Sequence, residues 1–358
     1  MLFQDPYLII ASLQAIQELS KGRAMIKLLM IGSFLSEKTG TKGISEKLME
    51  SLKNSDLKFI RASDKKNKII RYWEIILKCI FSSYRTIHID TFSGRAFKIA
   101  EIASSIGNFR RKRIIMTLRG GKLPEFYNKY PQRIKKALTK GDCIQTPSLY
   151  LKDFFAKQNI HLQYLPNSIE LDRFPYDRNN VKPYTLLWVR AFSKVYNPDL
   201  AVRTLYEVQK VFPDTTLTMI GPDKGVLNEI RGLINELNLE SSVNIIGPVK
   251  NENLYLYYQT HSVFLNTTSY ESFGVAVLEA AACGIPIVST KVGEIPFLWQ
   301  HEKNMLLVEN FEFSAFSYEV LRLFKSKELA DRISKNARRK AENFNWETIK
   351  PKWIDLLN

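Results

Sequence analysis

Histidine and cysteine are scarce here: four His and three Cys in 358 residues. The cysteines (Cys79, Cys143, Cys283) are odd in number, far apart and set among apolar neighbours. That excludes a disulfide framework and points to a reducing compartment. The histidines (His88, His161, His261, His301) show no metal-ligand spacing, so no zinc site is read. There is no Asp-x-Asp pair, and no G-x-G-x-x-G follows the first strand-like run of either half, which argues against a dinucleotide-dependent dehydrogenase. No apolar run reaches the roughly 18 residues of a transmembrane helix. The opening "PYLIIASLQAIQEL" is shorter than that and contains Gln and Glu. It lacks a basic front and a small-residue cleavage site, so it is a poor signal peptide. Residues 1–25 are expected to be an N-terminal extension, either an extra helix or a stretch ahead of a start at Met25.

Acidic residues are missing from one half in particular. Residues 1–170 carry 30 Lys and Arg against 14 Asp and Glu, while residues 171–358 carry 22 of each. The whole net charge of +16 therefore sits in the first half. A one-sided basic domain suits an anionic partner: a nucleic acid, a membrane surface or a phosphorylated substrate. A solvated lysine-rich surface is the plainer alternative. Within the basic half, "RASDKKNKIIRYWEIILKCIFSSYR" (61–85) interleaves Lys and Arg with Tyr72, Trp73, Phe81 and Tyr84; "NFRRKR" (108–113) and "KYPQRIKKALTK" (129–140) add charge. Basic amphipathic segments with aromatics suit the interface of an anionic membrane, although a core helix with a solvated face has the same pattern. Nothing in the chain resembles a nucleic-acid module, so no nucleic-acid partner is expected.

Apolar strand-like runs alternate with helix-length segments. "IKLLMIGSF", "RTIHID", "RIIMTL" and "DCIQTP" form one series, and "YTLLWV", "TTLTMIG", "SVNIIG", "SVFLNT" and "IPIVST" a second after Pro183. Such alternation predicts parallel βαβ units, and two series predict two doubly wound α/β domains. The join is expected near "PNSIELDRFPYDRNNVKPY" (166–184), rich in Pro and Asn. In open α/β sheets ligands lie beyond the carboxyl ends of strands. The glycines there, Gly32, Gly40, Gly43, Gly120, Gly121, Gly221, Gly247 and Gly274, mark loops to search, with a cleft between the domains as the expected site.

One stretch is denser in chemistry than the rest. "SYESFGVAVLEAAACGIPIVS" (269–289) places Glu271 in a loop after a strand and Glu279 inside a short helix that is apolar on every side. Gly274 opens that helix, and backbone N–H groups at a helix start bind anions such as a diphosphate. Two carboxylates at this spacing suit a ligand with hydroxyls at both ends and a phosphate between, which is a nucleotide sugar. A dipole-favoured Glu plus an interfacial ion pair is the structural alternative.

Read from Glu271 to Pro296, the pattern E-S-F-G-x-x-x-x-E-A-x-A-x-G-x-P-I-V-S-x-x-x-G-E-I-P resembles the signature of family 4 retaining glycosyltransferases of the GT-B fold. The resemblance extends over most of the chain from Ile26, including "PNSIELDRF" and "FNWETIKPKWIDLL". It implies two Rossmann-like domains facing a cleft, residues 26–170 on the acceptor side and 171–340 binding the nucleotide sugar, with 341–358 a helix returning to the first domain. It implies that Glu279 holds the donor ribose and that Glu271 contacts the transferred sugar. Ser272, Phe273, Gly274 and Val275 line the donor, with backbone N–H groups of the last three on phosphate and sugar. Gly221 lies near the nucleotide and Val249 or Lys250 by the base. Gly43 belongs to a first-domain glycine loop facing the donor phosphates and acceptor.

Two departures from that pattern matter. The family's Gly-Arg, with a Lys five residues on, falls at Arg190, Ala191 and Tyr196 in "WVRAFSKVYNPDLA". The cations are expected to have moved to Arg190 and Lys194, because a leaving diphosphate needs cationic stabilisation; weakened phosphate binding is the other reading. The family's first-domain His before Gly is replaced by Arg119, followed by Gly120. Arg119 can donate to a sugar oxygen or phosphate but cannot act as a base. His88 is the remaining histidine candidate, with a buried core role as its alternative. The resemblance thus implies metal-independent transfer with retention, from a nucleotide-diphosphate sugar to a glycan or lipid-linked acceptor in surface-polysaccharide synthesis. No separate cofactor and no metal site are expected. The setting implied is cytoplasmic, peripheral on the inner face of an anionic membrane. An inactive partner subunit of the same fold and a nucleotide-sugar epimerase are the alternatives.

Overall fold

The computed structural model describes residues 26–35 and 43–358. The N-terminal extension and Gly40 lie outside the described residues. Compact packing divides the chain into two units. The first holds the described residues up to Thr117, with Lys129–Ile144 and Ile354–Asn358; the second holds Leu118–Asn128 and Gln145–Trp353.

Strands β1 (Ile26–Ile31), β2 (Leu57–Arg61), β3 (Thr86–Thr91), β4 (Arg113–Leu118), β5 (Cys143–Thr146) and β6 (Gln163–Tyr164) form a sheet in the order β2-β1-β3-β4-β5-β6. The β1 pairs with β2 and β3 are parallel, as is β5 with β6. All six residues of β3 are buried, as are Leu28, Leu29 and Met30 of β1. Burial along whole strands is what a parallel sheet covered on both faces produces, and β3 shows it although Thr86, His88, Asp90 and Thr91 are polar. The order reverses between β1 and β3, and the loops leaving them converge: Gly32 abuts the Ser45 hydroxyl and Asp90 carboxylate, which bond to each other. A Cβ on Gly32 would lie 2.8 Å from Asp90 Oδ2, so only glycine lets β1 end there.

Strands β7 (Thr185–Val189), β8 (Thr216–Ile220), β9 (Val243–Gly247), β10 (Val263–Asn266), β11 (Ile287–Thr290) and β12 (Leu306–Val308) form the second sheet, ordered β12-β11-β10-β7-β8-β9 and parallel throughout. Its order reverses between β7 and β10, so the chain leaves these two strands in opposite directions and opens a crevice above their ends. Arg190 follows β7 and the Glu271 loop follows β10. β2, β6 and β12 were not among the strands read from the sequence. Each lies at a sheet edge, where little apolar patterning is needed, and β6 and β12 are only two and three residues long. The last helix, Trp346–Leu357, ends in the first unit, where Arg113 donates to the Leu356 carbonyl at 2.8 Å.

Candidate functional site

The second unit gathers its charged groups at the β7/β10 ends. The Arg190 guanidinium is mostly buried, and its Nη2 donates to Glu271 Oε2 at 2.5 Å and to Asn266 Oδ1 at 3.0 Å. Asn266 is oriented by donating its own amide to Ser289 Oγ at 2.8 Å. The Tyr196 ring lies 5.4 Å from the guanidinium centre, so the position where the family carries Lys holds an aromatic against Arg190. Arg190 Nε is buried and bonded to nothing among the described residues. Buried donors are almost always satisfied, so an orphaned guanidinium N–H at a strand end fits an anionic ligand.

The backbone around Arg190 is stitched tightly. Its N–H donates to the Ile220 carbonyl at 3.0 Å, and its own carbonyl faces Gly221, where a Cβ would sit 1.8 Å away. Gly221 donates to the Gly247 carbonyl at 2.9 Å. Beyond the turn, Asn197 (φ 43°) donates to the Thr267 carbonyl, and Ser269 N to the Val195 carbonyl at 2.8 Å. The loops after β7 and β10 thus hold each other, which fixes Arg190 against Glu271.

The helix Val275–Cys283 is buried along its length apart from Val275. Gly274 at its N-cap has φ 89°, and no side chain caps the first turn. Its leading N–H groups thus have no side-chain acceptor. Glu271 packs against this start, its Cγ 3.5 Å from a Cβ built on Gly274. Phe273 is a core anchor, edge-on to Phe344 at 5.8 Å, leaving its backbone for the site. Ser272 is half-buried in the same loop. Glu279 is buried; Oε1 accepts from Asn251 Nδ2 at 2.9 Å and Oε2 from the Tyr258 hydroxyl at 3.3 Å. Burial pushes the Tyr258 hydroxyl well above its usual range, and the Glu279 charge adds to this, so it remains a donor. Through Asn251 the turn after β9 reaches Glu279, which brings Val249, packed on the core, and Lys250, exposed, to the same end of the sheet.

Not every expected residue joins this cluster. Lys194 is exposed, and its side chain has no hydrogen bond or ion pair among the described residues. Of the two cations expected to replace the family pair, only Arg190 meets the carboxylate. Arg119 is buried and donates to Asn167 Oδ1 at 2.9 Å. Gly120 accepts from Leu123 N, and Gly121 lies under the Tyr270 ring, so this loop abuts the residue before Glu271. In the first unit His88 is fully buried and pairs with Thr117 Oγ1 at 2.7 Å, which matches the core role. Gly43 caps the helix Ile44–Ser51, its N–H on Glu46 Oε2 at 2.8 Å, and a Cβ there would meet the Ser33 carbonyl at 2.8 Å.

Sequence reasoning missed Glu294, although it closes the "GEIP" of the motif. Glu294 is fully buried; Oε1 accepts from Leu149 N at 2.7 Å, and Oε2 from Ser148 Oγ at 2.5 Å and Tyr150 N at 2.8 Å. It caps the helix Leu149–Ala156 from a strand end remote in sequence. Its N–H donates to the Glu271 carbonyl at 3.0 Å, and Gly293 (φ 53°) would place a Cβ 2.0 Å from that oxygen. Burial raises its carboxyl, its three hydrogen bonds lower it, and the Glu271 charge raises it again. Glu294→Ala is expected to destabilise the fold by about 3 kcal/mol, because it strands two partly buried N–H donors and a buried hydroxyl at once. A urea midpoint unchanged from the parent would sink that assignment.

A family model described as glycosyl transferases group 1 matches residues 170–340. N-acetyl-alpha-D-glucosaminyl L-malate synthase of Bacillus anthracis is 31% identical over 137 residues, 38% of this chain and 35% of that protein. Spore coat protein SA of Bacillus subtilis is 27% identical over 172 residues, 46% of each chain. A D-inositol 3-phosphate glycosyltransferase of Saccharomonospora viridis is 28% identical over 38% of this chain and 32% of its own. The match spans less than half the length of these relatives. Two solved structures agree over nearly the whole chain: HepE of Anabaena in complex with UDP (TM-score 0.74, 15% identity, 93% of this chain and 99% of that one) and sucrose-phosphate synthase from Thermosynechococcus elongatus (TM-score 0.73, 20% identity, 92% and 98%). At these identities the likeness is one of fold, and it bears out the two-domain α/β GT-B architecture.

Proposed function

From the match of residues 170–340 to the glycosyl transferases group 1 we propose that this protein transfers a sugar from a nucleotide-diphosphate donor to a glycan or lipid-linked acceptor. The observation that carries the proposal is the Arg190 guanidinium, held by Glu271 and Asn266 with a buried unpaired Nε, beside the uncapped start of Val275–Cys283. A cation and a helix N-terminus together bind and stabilise a diphosphate. In this reading Glu279 takes the donor ribose, Glu271 the sugar hydroxyls, and the backbone of Phe273, Gly274 and Val275 the phosphate and sugar. Gly221, Val249 and Lys250 border the nucleotide.

In the same reading the transfer proceeds with retention and without a metal. The departing phosphate, neutralised by Arg190, takes the proton of an acceptor hydroxyl that attacks from its own face. The domain divisions read from the sequence (26–170, 171–340 and 341–358), the acceptor-side roles of Gly43, Arg119 and Gly120, and peripheral contact with an anionic membrane belong to the proposal. Among the described residues no helix is long and apolar enough to cross a membrane. Relatives whose solved complexes contain UDP or UDP-glucose support a nucleotide-sugar donor.

The test is donor binding followed by turnover. One nucleoside diphosphate among UDP, GDP, ADP and CDP is expected to raise the melting temperature by several degrees, since a ligand at a hundred times its Kd adds about 2.7 kcal/mol. Glu279→Ala is expected to cut that shift by more than half. Hydrolysis or transfer of the matching nucleotide sugar then separates an active enzyme from an inactive partner subunit, which would bind without turnover.

A further inference from the structure

The first unit leaves a row of large apolar side chains uncovered. On the helix Lys68–Phe81, Ile69, Ile70, Trp73, Leu77, Ile80 and Phe81 are exposed, Phe81 by 78% and Trp73 by 58%. At 100° per residue they fall within an arc of about 120°. The inward face is a different set: Ile75 and Cys79 are buried, and with Tyr72 and Ile76 they face Ile99, Ile102 and Ala103 of the neighbouring helix Phe97–Phe109. Arg71, Glu74 and Lys78 occupy the remaining sector. The helix has the core face that a core helix would have, but its exposed face is apolar rather than polar. This helix has a core face and a second apolar face with nothing on it among the described residues.

Phe109, 89% exposed, stands at the end of the neighbouring helix. It precedes Arg110, whose Nη1 donates to the Cys79 and Ser82 carbonyls at 2.7 and 3.0 Å and so ties this corner to the end of the helix. Cations stand at both ends: Lys65, Lys66, Lys68 and Arg71 at one, Arg85 and Arg110 to Lys112 at the other. The single acid on the helix, Glu74, is paired with Lys78 at 2.8 Å, and Asp64 with Lys65 at 3.3 Å. A second copy of this chain would bring a similarly basic surface against this one, which repulsion disfavours. An apolar stripe carrying Trp and Phe between clusters of Lys and Arg matches the chemistry of an anionic lipid interface.

We propose that the outward face of Lys68–Phe81, with Phe109, is a docking surface that lies in the headgroup region of an anionic bilayer. The proposal gives the membrane contact of the reading above its residues and rests on that reading only for the membrane. Trp73 and Phe81 enter the acyl boundary, and the flanking cations sit on the phosphates.

The experiment is flotation of the full chain with vesicles of equimolar phosphatidylglycerol and phosphatidylcholine, beside vesicles of phosphatidylcholine alone. The protein is expected to float with the anionic vesicles at least about tenfold more than with the neutral ones, and 0.5 M NaCl is expected to remove most of that preference. The double variant Trp73→Glu, Phe81→Glu is expected to lose at least about tenfold in partition while keeping its melting temperature and nucleotide-induced shift. Lys66→Glu, Lys68→Glu is expected to lose severalfold. Equal flotation of the Trp73, Phe81 variant and the parent would overturn the proposal. So would a parent that ignores anionic vesicles but sediments as a dimer which that variant dissolves. Because flotation needs no donor, either result stands apart from the fate of the transferase reading.

Discussion

Arg190→Leu is expected to lower turnover of the nucleotide sugar by roughly a thousandfold, the scale of losing a preorganised donor to a developing charge in a water-poor site. It is also expected to destabilise the second unit by about 3 kcal/mol. Glu271 would keep its buried carboxylate and lose the cation 2.5 Å away. The two effects separate in the double variant Arg190→Leu, Glu271→Leu, where no charge is left alone. Much of the stability should return and the turnover should not. Arg190→Lys keeps the charge but not the fork that reaches Asn266 and Glu271 together, so an intermediate rate is expected. Denaturant midpoints and single-turnover rates on the three proteins decide it. An Arg190→Leu enzyme within threefold of the parent would mean that another cation, Lys194 first, neutralises the leaving group.

Gly221→Ala should damage the same site without touching its chemistry. The new methyl would lie 1.8 Å from the Arg190 carbonyl, 2.6 Å from its carbon and 3.1 Å from Ala191 N, on a backbone at φ +151°. Overpacking against immovable backbone and a conformation that L-residues rarely adopt each cost about 1–3 kcal/mol. A loss of about 3 kcal/mol is expected, with a weakened nucleotide-induced shift because the segment displaced carries Arg190. Gly232, inside the helix Leu227–Glu236, is the control, since a Cβ there meets nothing within 4 Å. Gly232→Ala should leave nucleotide binding alone and gain up to about 1 kcal/mol from helix propensity. If Gly221→Ala unfolds at the parent's midpoint and binds normally, the close approach of β7 and β8 at their ends is not what holds Arg190.

Several features of the site were legible from spacing alone. The apolar run from Gly274 to Cys283 had to be a buried helix. Its glycine start and the Glu271 and Glu279 spacing pointed to an anion-binding turn with two carboxylates; the structure has a helix starting at Gly274 there, with both acids buried. Arg190 was legible as a displaced cation because it stands one position before the alanine that fills the family's Arg position. Lys194 looked equally good, since both are basic residues near the end of β7. They differ in where the chain points after the strand: Arg190 leaves β7 towards Asn266, while Lys194 opens a 3-10 turn on the outside.

What the sequence determined by itself is local and periodic. Alternating apolar runs imply strands buried on both faces, two series of them imply two parallel sheets, and the distribution of Lys and Arg places all excess charge in residues 1–170. Pairings between residues far apart in the chain were decided only by the tertiary structure. Glu271 finds Arg190 across 81 positions, and Glu294 caps a helix nearly 150 residues earlier. The division of Lys68–Phe81 into a core face and an uncovered apolar face is of the same kind. Hydrophobic periodicity reports which residues of an element are apolar, but the neighbour that covers them, or leaves them bare, is set by how the sheets order their strands. The strand order, through its reversal between β7 and β10, is what turns a basic residue, two acids and a glycine-started helix into one site.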